Sequence, residues 1–260
     1  MTRGILEAHA AGVVTSATIM ANSPGFEHAI RCLRTAGASL GVGVHLNLVH
    51  GRPLTAAPSL TDPRTGELYP LGALALRAFT GRLAAEDVTA ECTAQIDRVA
   101  GEGIAITHVD SHRHTHALPA VWRPMAAAAL SRGVRLARWP AESLMVHPTN
   151  LAADVRKVAI AGMWRVARPR APALRHPDAF VGISLMGGTR LLPRLLRVLD
   201  GLRPGTTELM VHVGRVDAEL AAKDPYTWQR ERELEVLTSA ALRGRLGLGD
   251  IELVHFGALA

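Results

Sequence analysis

Cysteine and lysine are almost absent from this 260-residue chain, and each shortage removes a class of protein. Cys32 and Cys92 are its two cysteines, far apart and without CxxC spacing, so neither a disulfide framework nor a thiolate zinc site is expected. Both fall in segments patterned as helices, where a buried free thiol is the ordinary state. Lys157 and Lys223 are the only lysines, so the formal net charge of +6 is carried almost wholly by arginine. Those arginines are spread over helical segments, and aromatics make up only 4% of the chain. No basic tract with interleaved aromatics results, which argues against nucleic acid as the main partner. No window reaches the roughly 18 apolar residues of a membrane span. Met1 to His9 lacks the apolar core of a secretory signal, so a soluble, cytoplasmic protein is expected. A glycine-rich phosphate loop, a G-x-S-x-G elbow and an H-E-x-x-H helix are also missing. Gly187-Gly188 follows a strand but lacks a third glycine at the right spacing, and reads as a tight turn.

What the chain does have is apolar residues, 48% of the total, arranged in short runs that alternate with longer helical patterns. Val13 to Ala21, Val42 to Val49, Ala105 to Val109, Val134 to Ala137, Phe180 to Ser184, Leu209 to Val213 and Ile251 to Phe256 read as strands. Pro24 to Ala36, Ala85 to Gly101, Pro119 to Gly133, Leu151 to Ala167, Leu191 to Leu199 and Tyr226 to Leu246 read as helices. Such alternation predicts an α/β fold of mostly parallel strands with helices outside. One unbroken series suits a single domain over residues 1–260, an incomplete (β/α) barrel. The chain opens on a helix-like segment, Arg3 to Ala11, that leads straight into a strand, so the first strand of the series is expected to be missing. Two Pro- and Gly-rich stretches, Gly51 to Leu71 and Arg168 to Asp178, read as long loops, a length usually reserved for functional covers or linkers.

Chemistry gathers at the strand ends. The run Ile106-Thr-His-Val-Asp-Ser-His-Arg-His-Thr-His116 holds four histidines and an aspartate within eleven residues. If it is extended, its period of two points His108, Asp110, His112, His114 and His116 to one side. Imidazoles crowded with a carboxylate suit a divalent metal better than an apolar core. Gly41-Val-Gly-Val-His-Leu-Asn-Leu-Val-His50 ends a second strand, with His45 and Asn47 on one side and His50 at the start of a loop. A lone strand histidine is more often a satisfied core group, but catalytic groups of a (β/α) barrel come from the ends of several strands. Glu208-Leu-Met-Val-His-Val-Gly214 ends a third strand in His212. Asn22 and Arg138 occupy comparable strand-end positions; by itself Asn22 could be a turn residue and Arg138 an ordinary surface arginine.

Assembled, these residues resemble the YdjC-like carbohydrate deacetylases, whose relatives include the hopanoid-biosynthesis-associated deacetylases. The resemblance runs through Arg3-Gly-Ile-Leu-Glu-Ala-His with Gly12-Val-Val-Thr-Ser-Ala-Thr-Ile-Met-Ala-Asn22, then Gly43-Val-His-Leu-Asn-Leu48 with Gly51-Arg-Pro-Leu54. It continues through Thr107 to His116, Glu208-Leu-Met-Val-His212 and Tyr226-Thr-Trp-Gln-Arg-Glu-Arg-Glu-Leu-Glu-Val-Leu237. It implies a (β/α) barrel that removes acetyl groups from N-acetylated sugars or glycoconjugates at a divalent metal, Mg2+ or Zn2+. His45 and His112 are the implied metal ligands, and His114 and His116 line the rim. Asn22 and Arg138 join those two as expected substrate contacts. His212 matches the late histidine suited to protonating a leaving amine, and Asp110 is left as a base or as a partner of an imidazole. A homodimer is left open.

The chain departs from the family in two ways. Members begin with a strand bearing Ala-Asp-Asp-Phe-Gly, whose aspartates supply a third ligand and the base. This sequence starts about where that segment would end, and a shortened gene or truncation is the expected reason. Val213 stands where a proline usually follows the late histidine. Two rival functions stay open: a sugar-binding relative without turnover, and a metal-dependent phosphoesterase.

Overall fold

A computed structural model describes residues 1–35, 39–143, 151–167, 174–187 and 190–259, leaving aside the side chains of 151–153, 219 and 223. Ala36, residues 168–173 of the second expected loop and Gly188 of the expected turn lie outside that set.

The chain begins with α1 (Thr2–Ala10), β1 (Ser16–Ile19), α2 (Phe26–Leu33) and β2 (Gly41–Leu46). A small antiparallel hairpin, β3 (Thr61–Asp62) and β4 (Glu67–Leu68), turns through Gly66 at φ 70° inside the first expected loop. Then come α3 (Leu71–Phe79), α4 (Ala85–Ala100) and β5 (Ile106–Ser111). A 3-10 turn over His112–Ala117 leads into α5 (Pro119–Ser131) and α6 (Leu151–Ala167). The rest is β6 (Ala179–Val181), α7 (Leu191–Asp200), β7 (Thr207–Leu209), α8 (Ala218–Lys223), α9 (Trp228–Leu237), α10 (Ala240–Leu246) and a final 3-10 turn, Phe256–Leu259.

The expected α/β class with parallel strands is what the structure has. β1, β2 and β5 form one parallel sheet in that order, and β6 pairs β7 in parallel. Between the two sheets, Ala137 bridges Val109 and Leu136 bridges Arg175, both in parallel. The predicted strand over 134–137 is thus reduced to two bridges. Helices cover the sheet as α4 shows: Val88, Cys92, Ile96 and Val99 recur at helical spacing, are buried, and face α5. Glu86 and Asp87 in its first turn and Arg98 in its last suit the helix dipole. Each fully buried aliphatic side chain of this kind contributes about 1.5–3 kcal/mol over exposure. Cys92 is a free thiol inside this core, and burial raises its pKa; Cys32, also free, is half-buried. Among the described residues no helix is long and apolar enough to cross a membrane.

Four further expectations need correction. The strand expected over 209–213 is displaced to Thr207–Leu209, because its partner β6 pairs only as far as Val181, so His212 lies beyond the strand's end. Residues 251–256 form no strand. Their bonds to β1 run through hydroxyl side chains, Thr15 Oγ1 donating to Val254 O at 2.8 Å and Phe256 N donating to Ser16 Oγ at 3.0 Å, so no backbone ladder is built. The long helix expected over 226–246 is two helices, because Ser239 turns extended and caps α10 by accepting from Leu242 N at 3.3 Å. The strand expected over 180–184 stops at Val181, since Ser184 N and Oγ both donate to the buried Glu142 carboxyl instead.

Candidate active site

β5 carries the histidine run only as far as Ser111, and there the expected extended geometry fails. Arg113 (φ 55°) and His114 (φ 54°) both take left-handed backbone, which non-glycine residues adopt at a cost of about 1–2 kcal/mol each. The chain curls, and period-two alternation ends at Asp110. His116 is returned to the strand end, where its Nδ1 pairs with Ser111 Oγ at 2.5 Å and its backbone N donates to the same hydroxyl at 2.9 Å. It is fully buried beside Trp122 and Trp164, with ring centroids 6.3 and 6.2 Å away. That is a packed interior position, not the rim expected for it. His108 is buried as well, stacked on Phe256 at 3.9 Å with ring planes 5° apart. Gly43 opposite must lack a side chain, because a Cβ there would stand 2.6 Å from His108 Cε1.

The residue types that need long-range convergence do converge. His45 on β2 pairs in register with Asp110 on β5, and His45 Nδ1 donates to Asp110 Oδ1 at 2.7 Å. His45 Nε2 then faces His112 Nδ1 at 3.4 Å, with ring centroids 5.5 Å apart. His50 is exposed, 6.4 Å from His112 between ring centroids. Burial alone would raise the Asp110 carboxyl, but the Arg138 guanidinium and His45 outweigh it and hold it well below the usual carboxylate range. An ionised Asp110 accepts only, so the proton between the two groups sits on His45 Nδ1, and Nε2 is the nitrogen turned toward His112. His112 is pushed down to about 3, first by burial and then by His45 and Arg113, so it is neutral.

Two ring nitrogens facing each other are a test of metal fit. Nitrogens ligating one ion tetrahedrally at about 2.0–2.1 Å stand roughly 3.3–3.4 Å apart. The His45–His112 separation of 3.4 Å suits two corners of such a site. A carboxylate on the far nitrogen of a ligating imidazole is the usual supporting arrangement. Among the described residues no group of three His, Cys, Asp or Glu side chains is placed to hold an ion, so the pair is two corners and not a closed cage.

Comparison with known proteins decides the family. The model of the YdjC-like proteins matches residues 1–247. The chain belongs to that family. It is 34% identical over 255 residues to a carbohydrate deacetylase of Geobacillus stearothermophilus, an alignment covering 97% of this chain and 89% of the relative. A human carbohydrate deacetylase is 34% identical, with 96% of this chain and 84% of the relative covered. A chitooligosaccharide deacetylase of Yersinia enterocolitica is 33% identical, with 92% and 86% covered. In three dimensions the chain is similar to a crystal structure from Enterococcus faecalis V583, a provisionally assigned cellobiose-phosphate cleavage protein. That likeness has a TM-score of 0.80 at 25% identity and covers 100% of this chain and 93% of the other.

Within this YdjC-like site the other expected residues divide. Arg138 is not an ordinary surface arginine. Its Nη1 lies 2.5 Å from Asp110 Oδ2, an ion pair outside hydrogen-bond geometry, and its Nε donates to Glu208 Oε1 at 2.6 Å. His212 is held by its backbone, its N donating to Glu233 and its O accepting from Arg230 Nη1 at 3.4 Å. Its ring meets Tyr226 edge-on at 5.6 Å, its Nδ1 has no partner, and burial, then Arg230, push it down to about 3. His114 meets Phe180 edge-on at 5.7 Å, with its Nδ1 also unpartnered and its pKa driven well down by burial. Asn22 has both ends occupied, donating to Arg52 O at 3.0 Å and accepting from Asn47 Nδ2 at 2.9 Å, and so ties β1 to the loop after β2.

Glu208, the middle residue of β7, is a functional candidate that its sequence setting hardly marks. Its one signal was a lone acid at the head of an apolar run.

Proposed function

We propose that this chain is a metal-dependent carbohydrate deacetylase that hydrolyses the acetamide of an N-acetylated sugar. One observation carries the reading: two imidazoles, His45 on β2 and His112 in the turn that follows β5, bring ring nitrogens face to face with a carboxylate behind one of them. Its substrate class follows from relatives named for carbohydrate and chitooligosaccharide deacetylation.

His45 Nε2 and His112 Nδ1 would hold the ion, Zn2+ or Mg2+, and the chemistry supplied there is positive charge on an amide carbonyl and a more acidic water. Ligation requires each ring nitrogen facing the ion to be free of its proton, and burial holds His112 neutral. Asp110, with its oxygens given to His45 and Arg138, orients His45 rather than meeting water. His212 starts neutral, so it takes a proton from the attacking water before passing one to the leaving amine. In the parallel strands, bridges and outer helices we read the staves of a barrel whose strand ends carry these groups.

A second reading, a sugar-binding relative without turnover, is favoured by one fact: no third side chain joins His45 and His112 among the described residues. Acetate release from an N-acetylated chitooligosaccharide separates the two. We expect release with Zn2+ or Mg2+ added, abolished by a chelator and by His112→Ala. Release that survives both treatments excludes the metal-dependent reading, and saturable sugar binding with no release under either metal selects the second.

A further inference from the structure

Glu208 has no part in the chemistry just described, yet it ends a continuous chain of polar side chains. His45 on β2 donates to Asp110 on β5, Asp110 pairs with Arg138, and Arg138 donates to Glu208 on β7. Along that chain the side chains are 23%, 1%, 11% and 7% exposed, so water screens none of the inner links. Arg138 is gripped on several sides. Its backbone N donates to Val109 O at 3.1 Å, and its guanidinium lies 5.5 Å over the Phe180 ring.

Arg138 carries one positive charge and faces two carboxyls. With both present, it is stretched between them and leaves Asp110 Oδ1 to His45. With Glu208 removed, Asp110 is the only acid left to Arg138 among the described residues, and the guanidinium is free to swing onto both of its oxygens. A bidentate pair of that kind would compete with the His45 Nδ1 proton for Oδ1.

We propose that Glu208 is a positioning residue: through Arg138 it holds Asp110 where that carboxylate fixes the orientation and tautomer of His45. It rests on reading His45 as a group whose Nε2 must stay free for ligation. It adds β7 to the elements that determine the geometry of the metal pair.

The test uses the metal-free full chain and needs no substrate, so it decides even if no acetate is ever released. The Nδ1 proton of His45 is observed by imidazole proton–nitrogen correlation and assigned by its loss in His45→Gln. We expect a far-downfield Nδ1 proton in the parent. In Glu208→Ala that proton should exchange with solvent at least tenfold faster, and Zn2+ affinity by calorimetry should drop about tenfold, the low end for partners of ligating histidines. Glu208→Gln, which keeps an acceptor for Arg138 Nε, should recover the protected proton. A folded Glu208→Ala, checked by circular dichroism, that keeps the parent His45 signal and Zn2+ affinity overturns the proposal. Should Glu208→Ala not fold, Glu208→Asp leaves the acid one methylene short of Arg138. Loss of the proton's protection there supports the proposal, and a parent-like spectrum overturns it.

Discussion

Two buried polar networks flank the end of β2, and they differ in how completely they are paired. On one side, α4 sends Glu91 and Gln95, both fully buried, toward the chain that leaves the strand. Glu91 accepts from Leu54 N, Thr55 N, Thr55 Oγ1 and Gln95 Nε2 at 2.8–3.0 Å. Gln95 accepts from Asn47 N at 2.9 Å and donates to Asn47 O at 2.8 Å, and Asn47 reaches on to Asn22 and His50 O. No side-chain atom of these residues is left without a partner. On the other side, the His–Asp–Arg–Glu cluster leaves His114 Nδ1, His116 Nε2, Glu208 Oε2 and His212 Nδ1 buried and unpaired. A buried polar atom without a partner costs about 1–3 kcal/mol, so it persists where something other than stability requires it. The first network builds the loop; the second has bonding capacity to spare for a ligand.

That contrast is broken most forcefully at His212. Replacing it by Leu removes an orphaned nitrogen together with the proposed proton carrier. We expect acetate release to fall by about 10²–10⁴-fold, the usual share of general acid–base catalysis. Stability should stay within about 1 kcal/mol of the parent, because no paired partner of the ring is stranded. Denaturant midpoints and steady-state rates on one preparation check both halves. A destabilised but active His212→Leu would place the residue in the scaffold instead.

Glu91→Ala should behave in the opposite way. It strands Leu54 N, Thr55 N and one proton of Gln95 in a dry interior. A loss on the order of 3 kcal/mol is expected from urea unfolding. Activity per folded molecule should fall much less than in His212→Leu, since Glu91 contacts none of the clustered imidazoles. Equal losses of activity in the two variants would erase the distinction between the networks.

The same division governs what was readable in the sequence. α4 was legible nearly to the residue, over Ala85–Ala100, because its apolar spacing, acidic first turn and basic last turn all agree. The meeting of His45 and His112 was legible too, since two parallel strands in register bring their ends together. The turn over His112–Ala117 was not. Arg113 and His114 defy their own backbone preferences, and alternation in the sequence cannot announce a left-handed pair. Glu208 was illegible for another reason: its partner Arg138 lies seventy residues away, and nothing local to either marks the bond. Residues 251–256 looked like a strand as a short apolar run, but the bonds that place them come from Thr15 and Ser16 hydroxyls.

The smallest expected effect probes the left-handed pair itself. Arg113 is exposed, at φ 55°, one residue after His112. Glycine takes that backbone without the Cβ penalty of about 1–2 kcal/mol, though it gives back about 0.5–1 kcal/mol through a freer unfolded chain. Arg113→Gly should therefore stabilise the fold by a few tenths to about 1 kcal/mol, while a β-branched Arg113→Val should destabilise it by a similar or larger amount. Paired thermal melts read the difference. Removing the guanidinium also takes away one of the charges that keep His112 neutral, burial being the larger cause, so the His112 pKa should stay low but rise. If both variants melt with the parent, the strain is relieved elsewhere in the turn, and the curl at the end of β5 belongs with the satisfied scaffold rather than with the unpaired cluster.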